Sequence, residues 1–148
     1  LESAVYILSE FLEGGDAVLQ EDNHGVRTPY KVNRPGRLTK IPVEVLINKG
    51  SASASEIVAG ALQDRKKSLL IGEKSFGKGT VQETQELTGG TGIHITVAKW
   101  LTPNGRWVNA TEGFEPDVKV EPNKDDPAKD LPAVRQDLQL DRAIELLN

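Results

Sequence analysis

The chain has 148 residues, of which 37% are hydrophobic and 27% charged, and its formal net charge is −4. That length supports one domain with a proper core, burying about 68–70% of the surface of the unfolded chain, and the negative balance removes the basic field on which bulk nucleic-acid binding depends. Cysteine is absent, which excludes disulfides, thiolate metal sites and a cysteine nucleophile, and no apolar run reaches the roughly 18 residues of a membrane-spanning helix.

Leu1, Ala4, Val5, Leu8, Phe11 and Leu12 recur at helical spacing until Gly14-Gly15, which predicts a helix over 2–13. The pattern is already running at Leu1 and no methionine precedes it, so more chain is expected upstream. Ala17-Val18-Leu19 reads as a short strand, 21–25 as a turn, and Val26 to Val32 as its partner strand. Val43 to Ile47 is an apolar strand rich in β-branched residues. Ile57, Val58, Ala61 and Leu62 then mark one face of a helix from Ser53 to Asp64, and Ser68 to Ile71 is a second buried strand. Strand, helix and strand in this order make a βαβ unit with a parallel pair and a right-handed crossover.

A glycine-rich loop follows from Gly72 to Gly79. Thr80 to Leu87 alternates weakly, Gly89, Gly90 and Gly92 interrupt it, and Ile93 to Ala98 is a further strand before the turn Pro103-Asn104-Gly105. Val118 to Val120 is a last short strand. Pro122 to Pro132 reads as an exposed linker, and Leu138, Leu140, Ala143, Ile144 and Leu147 form a closing helix.

The βαβ unit brings chemistry together. A helix of 12 residues is about 18 Å long and a five-residue strand spans about 16 Å, so the loop after the second strand returns close to the helix N-terminus. Ser51-Ala-Ser-Ala-Ser55 and Phe76-Gly-Lys-Gly79 then meet at the carboxyl ends of parallel strands, where open α/β folds place their ligands. A hydroxyl at a helix start lies beside N–H groups that can hold an oxyanion. Lys78 arrives between two glycines and can act as a base if burial favours its neutral form.

Structural readings compete with these. Ser53-Ala-Ser-Glu56 fits a capping box, in which the hydroxyl is engaged rather than free to attack. Lys78 on a glycine loop also fits a solvated surface lysine. Ser51 and Ser55 are chemically equal candidates to Ser53, so the residues define a site and not an atom. The stretch Gly72 to Thr80 nearly matches the nucleotide-binding pattern G-x-x-x-x-G-K-[ST], but Gly79 stands where the Mg²⁺-binding hydroxyl belongs and no helix follows. Nucleotide and nucleic acid are therefore not expected as partners. His24 and His94 are isolated, and no metal or other cofactor is expected.

Gly50-Ser-Ala-Ser-Ala-Ser-Glu56 with Ile57 to Asp64, and Ser75-Phe-Gly-Lys-Gly-Thr-Val-Gln82, resemble the two motifs of the carboxyl-terminal processing (tail-specific) proteases. The 25-residue separation of Ser53 and Lys78 is similar as well. The likeness continues weakly through Trp100-Leu-Thr-Pro103 and Gly113-Phe-Glu-Pro-Asp117 to about Val120. The resemblance implies an α/β fold with a mixed β-sheet, βαβ crossovers and packed helices (a ClpP/crotonase-like core), incomplete at its N-terminus. Residues 1–121 would be the catalytic core, and 122–148 a linker and C-terminal helix.

It further implies Ser53 as nucleophile, Lys78 as general base, Gln82 as the residue orienting the lysine, and the Ala54 backbone N–H as oxyanion donor. Along a straight strand Gln82 lies about 13 Å from Lys78, so their contact requires a bend near Gly79. Asp64 matches an acidic position of some family members; eleven residues into the helix, it is expected to pair structurally with Arg65 or Lys66. The implied reaction is endoproteolysis through an acyl-enzyme, on protein substrates with apolar carboxyl termini, outside the cytoplasm. An upstream PDZ domain and a glycine-rich segment supplying a second oxyanion donor belong to the family pattern and are missing from these 148 residues, so little activity is expected of this stretch alone. Assembly into an oligomer is compatible with it. The rival reading is an inactive peptide-binding or scaffold domain of the same fold.

Overall fold

A computed structural model of the chain describes residues 1–122 and 137–147. The first amphipathic segment forms helix α1 (Glu2–Phe11), which turns Ala4, Val5 and Leu8 inward. It ends two residues earlier than the periodicity predicts because Leu12 is extended, and its N–H closes the last turn on the Leu8 carbonyl. Ser9, on the buried face, donates its hydroxyl to the Val5 carbonyl at 2.8 Å, so no polar group is stranded there.

Strand β1 (Asp16–Asp22) outruns the predicted Ala17–Leu19. It pairs on one side with β2 (Arg27–Lys31) and on the other with a later strand, and two ladders hold polar residues that propensity alone leaves in a turn. The reversal that remains is an Asp22 turn. Its carboxylate accepts from the N–H groups of His24 and Val26.

Strand β3 (Val45–Ile47), helix α2 (Ala54–Lys66) and strand β4 (Leu70–Gly72) form the expected βαβ unit, with β3 and β4 parallel and Val45 opposite Leu70. Strands β5 (Thr80–Leu87) and β6 (Thr91–Leu101) form a hairpin, and β7 (Val118–Lys119) pairs parallel with β4. The α/β class with both parallel and antiparallel pairing is thus as expected. The pairings divide between an antiparallel sheet ordered β2-β1-β6-β5 and a parallel one ordered β3-β4-β7.

Leu8, Val18, Leu62, Leu70, Trp100 and Phe114 belong to one buried cluster between the helices and the sheets. Each such side chain contributes about 1.5–3 kcal/mol by leaving water. Gly60 lets α2 lie close to the chain after β6: a Cβ there would stand 2.7 Å from Thr102 Cγ2 and 2.8 Å from Phe114 Cζ. The outer half of the β5–β6 hairpin is exposed on both faces. Helix α3 (Leu138–Leu147) forms where its apolar spacing predicts and packs against β3 and β4, and Gln139 Nε2 donates to the Val120 carbonyl. Apart from Pro122, the predicted linker lies outside the described residues. Among the described residues no helix is long and apolar enough to cross a membrane.

Candidate active site

The parallel strands deliver the two glycine- and serine-rich loops to the same end of the fold, and the Phe76 N–H donates to the Ser51 carbonyl at 2.9 Å. Ser53 stands immediately before α2 with φ 54° and ψ −113°. It alone of Ser51, Ser53 and Ser55 has a left-handed φ. A side chain held there costs about 1–3 kcal/mol and persists only where surrounding contacts enforce it. A sharp, strained turn from strand into helix is also how α/β hydrolases lift a nucleophilic hydroxyl clear of its backbone. The expected capping box is present: the Ser53 hydroxyl faces the Glu56 N–H, without a strict cap hydrogen bond, and the Glu56 carboxylate accepts from the Ser53 N–H. Ala54 opens the helix, and its N–H belongs to the first turn, whose donors have no intrahelical acceptor.

Glu56 is the centre of the site. Its side chain is fully buried, and the carboxylate takes four donors. Oε1 accepts from Ser75 Oγ at 2.6 Å and Gly77 N at 2.7 Å, and Oε2 accepts from the backbone nitrogens of Ser53 and Lys78, each at 2.9 Å. The nitrogens of Ser53 and Lys78 are therefore no more than twice that distance apart. Four short bonds offset the cost of removing a carboxylate from water. Sequence reasoning saw only the capping role. The missed signal lies in the chemistry of the group, because a carboxylate offers about four acceptor sites and a capping box uses one.

The Lys78–Gly79 peptide is held just as fully. The Lys78 carbonyl accepts from the Trp100 indole at 2.9 Å, the Gly79 N–H donates to Asn109 Oδ1, and the Gly79 carbonyl accepts from the Trp107 indole at 3.1 Å and Trp100 N at 3.0 Å. Gly77 does supply a left-handed bend, with φ 91°, but Gly79 is needed for space. The Lys78 side chain is exposed, and its amine has no hydrogen-bond or ion-pair partner among the described residues. Within this chain alone that amine is open to solvent.

Ser53, Lys78, Gln82, His94 and Trp100 line one cavity of about 340 Å³. Gln82 reaches this cavity but donates to Thr96 Oγ1 at 3.4 Å rather than to Lys78. The register of the hairpin slips here: Val81 faces Ala98 and Gln82 faces Thr96, so Val97 is a bulge. His94, read from the sequence as isolated, comes to the cavity because it lies two residues from Thr96 along β6; its Nδ1 is 3.0 Å from Thr84 Oγ1. Its place on the strand gave no local sign of this.

Asp64 lies outside the cavity, at the far end of α2. It binds Arg106 and accepts from Asn104 N at 2.8 Å. The expected partners Arg65 and Lys66 instead donate to backbone carbonyls, of Gly14 and Asp16 and of Thr39 and Ile41 respectively. Side chains on successive residues of a helix diverge, and Asp64 faces inward where neither neighbour follows.

The sequence pattern of peptidase family S41 matches residues 1–120. The chain is 40% identical over 120 residues to a chloroplastic C-terminal processing peptidase of Tetradesmus obliquus, covering 81% of this chain and 26% of that one. It is 41% identical over 122 residues to the carboxy-terminal processing protease CtpA of Bacillus subtilis (strain 168), covering 82% and 26%. The structure superposes on the photosystem II D1 C-terminal processing protease with a TM-score of 0.73 at 39% identity, over 81% of this chain and 31% of that one. A lipoprotein from Streptococcus agalactiae shares the fold at 17% identity (TM-score 0.67), over 95% of this chain and 47% of its own. The chain spans about a quarter of the length of the curated relatives it matches.

Proposed function

The chain belongs to peptidase family S41, and from this we propose that it carries the Ser53–Lys78 dyad of a serine endopeptidase that cuts proteins near their carboxyl termini. The observation that carries the reading is the Glu56 carboxylate, which binds the backbones of both residues through a single oxygen. The strained backbone of Ser53 supports it over its two neighbouring serines.

In the proposed reaction a peptide fills the cavity and excludes water from the Lys78 amine, which favours the neutral form. Ser53 Oγ bonds to the scissile carbonyl carbon and its proton passes to Lys78 Nζ, while the Ala54 N–H stabilises the oxyanion. The C–N bond then breaks, Lys78 returns the proton to the leaving amine, and an ester to Ser53 remains. Water attacks that ester, giving a proton to Lys78, and as the C–O bond breaks Lys78 passes it to Ser53 Oγ, which frees the acid and restores both the hydroxyl and the amine. Gln82 orients the amine once it leaves its long bond to Thr96.

Apolar substrate tails, their capture by a PDZ domain in a longer polypeptide, work outside the cytoplasm and assembly into an oligomer belong to the same proposal. The names of the relatives support processing at carboxyl termini. A non-hydrolytic peptide-binding domain is the second reading, and the unpartnered Lys78 amine favours it. A serine-directed acylating probe separates the two, applied to this chain and to the longest natural polypeptide containing it. Labelling is expected, and is expected to vanish in Ser53→Ala and Lys78→Ala. Labelling that survives Lys78→Ala removes the dyad.

A further inference from the structure

Four consecutive backbone groups, from the Lys78 nitrogen to the Gly79 carbonyl, are all bound by side chains, and none of those side chains lies on the loop itself. Glu56 and Trp100 are buried and serve the core as well. Trp107 and Asn109 are different. They lie half-buried around a single 3₁₀ turn (Val108–Thr111), and both address the same residue, Gly79.

The approach is also as close as atoms allow. A Cβ on Gly79 would stand 2.6 Å from Asn109 Oδ1 and 2.8 Å from Trp107 Nε1 and Val108 Cγ1. Further along, a Cβ on Gly77 would stand 2.7 Å from the Gly113 nitrogen, and one on Gly113 would stand 2.2 Å from the Ser75 carbonyl oxygen. Ser75 N donates to the Phe114 carbonyl at 3.0 Å, and Phe114 N donates to Ser75 Oγ at 2.7 Å. Segment 107–114 therefore meets the loop at Ser75, Gly77 and Gly79, and the Ser75 hydroxyl joins it to Glu56.

We infer that Trp107 and Asn109 are positioning residues for the base: they fix the peptide after Lys78, and through it the point from which the amine reaches Ser53. The inference rests on the dyad reading. Satisfying buried backbone groups is required of any fold, but here Trp107 and Asn109 hold both polar groups of the residue that directly follows Lys78. A base displaced by about 1 Å loses up to about 100-fold in rate without weaker substrate binding.

The test uses the longest natural polypeptide that contains the chain and a peptide substrate. Trp107→Phe keeps an aromatic ring, though a smaller one, and removes the donor to the Gly79 carbonyl; Asn109→Ala removes the acceptor for the Gly79 N–H, and Asn109→Asp restores it. Trp107→Phe and Asn109→Ala are expected to lower kcat about 10- to 100-fold with KM within about twofold, and to move the limb of the pH–rate profile that reports the base. Asn109→Asp is expected to recover most of kcat. Should Asn109→Ala fail to fold, Trp107→Phe carries the test alone. Unchanged kcat and pH profile in Trp107→Phe, with Lys78→Ala inactive, overturn the inference and leave the dyad standing. An active Lys78→Ala protein removes the dyad itself, and this inference with it.

Discussion

Helix α2 carries two inward-facing carboxylates about two turns apart, and they do opposite things. Glu56, near its start, is surrounded by neutral donors: three backbone N–H groups and the Ser75 hydroxyl. Asp64, near its end, holds a cation, Arg106, together with the Asn104 N–H, and so fastens the turn that follows β6. One carboxylate arranges the loops that bear Ser53 and Lys78, and the other anchors the frame. The same residue type on one helix thus separates chemistry from stability according to what surrounds it.

Glu56→Gln tests that contrast most severely. The amide keeps the shape but presents an NH₂ to donors that formerly met an oxygen, and each buried donor left unmatched costs about 1–3 kcal/mol. The expected result is a fall in kcat of about 100-fold or more, measured on protein still folded by circular dichroism. Full activity in Glu56→Gln would erase the distinction between the two ends of the helix.

Asp64→Asn is the matching experiment. The Asp64 side chain is only 3% exposed, but Arg106 is 44% exposed, so solvent screens the pair and the loss is held to about 1–2 kcal/mol. For a chain of this size that is a drop in melting temperature of about 2–8 °C. The kcat is expected to stay within about twofold of the parent, and a loss like that of Glu56→Gln would place Asp64 in the chemistry after all.

The frame around these carboxylates was legible in the sequence where local pattern and tertiary need agree. The helical spacing of Leu1 to Leu12, the βαβ order around Ile57 to Leu62 and the closing helix all formed. The meeting of Ser53 with the Lys78 loop followed from matched element lengths. What escaped were contacts made at long sequence separation. Trp107 and Asn109 lie about 30 residues from the glycine they hold, and nothing local in Arg106-Trp-Val-Asn109 marks a partner. The exposed Lys78 amine, by contrast, matches the solvated surface lysine that its glycine-flanked loop also allowed. Strand β1 ran long because a ladder on each side outweighs the polarity of Gln20 to Asp22.

Carboxylates outside α2 sharpen the contrast through pH. Glu10 is held below its ordinary pKa of 4.5 by the Arg37 N–H first and then by the Arg34 guanidinium. Glu21 is held below the same value by Lys99 and then Arg27. A lowered folded-state pKa gives stability that is present above the unfolded value and is lost as pH falls through the folded one. Melting temperature is therefore expected to be flat above about pH 5 and to decline below about 4.5. Glu10→Gln and Glu21→Gln should each flatten part of that decline, and an unchanged acid limb in the double substitution would show that these two carboxylates do not cause it.

The smallest effect is expected where neither α2 carboxylate reaches. Beyond Gln82 and Thr96 the hairpin is exposed on both faces, and Leu87, Ile93 and Ile95 remain 42–45% accessible. Facing pairs such as Gln85 with Ile93 and Glu83 with Ile95 bury little, so Ile93→Thr removes little apolar contact and keeps a β-branched side chain in the strand. The expected change is within about 0.5 kcal/mol by denaturant unfolding. Its kcat should equal the parent's, because the ties that fix Lys78 all lie on the other side of the bulge at Val97. A kcat that falls with stability unchanged would mean that the hairpin steers the base from a distance, and the anchoring assigned to Glu56 and the segment after β6 would then be incomplete.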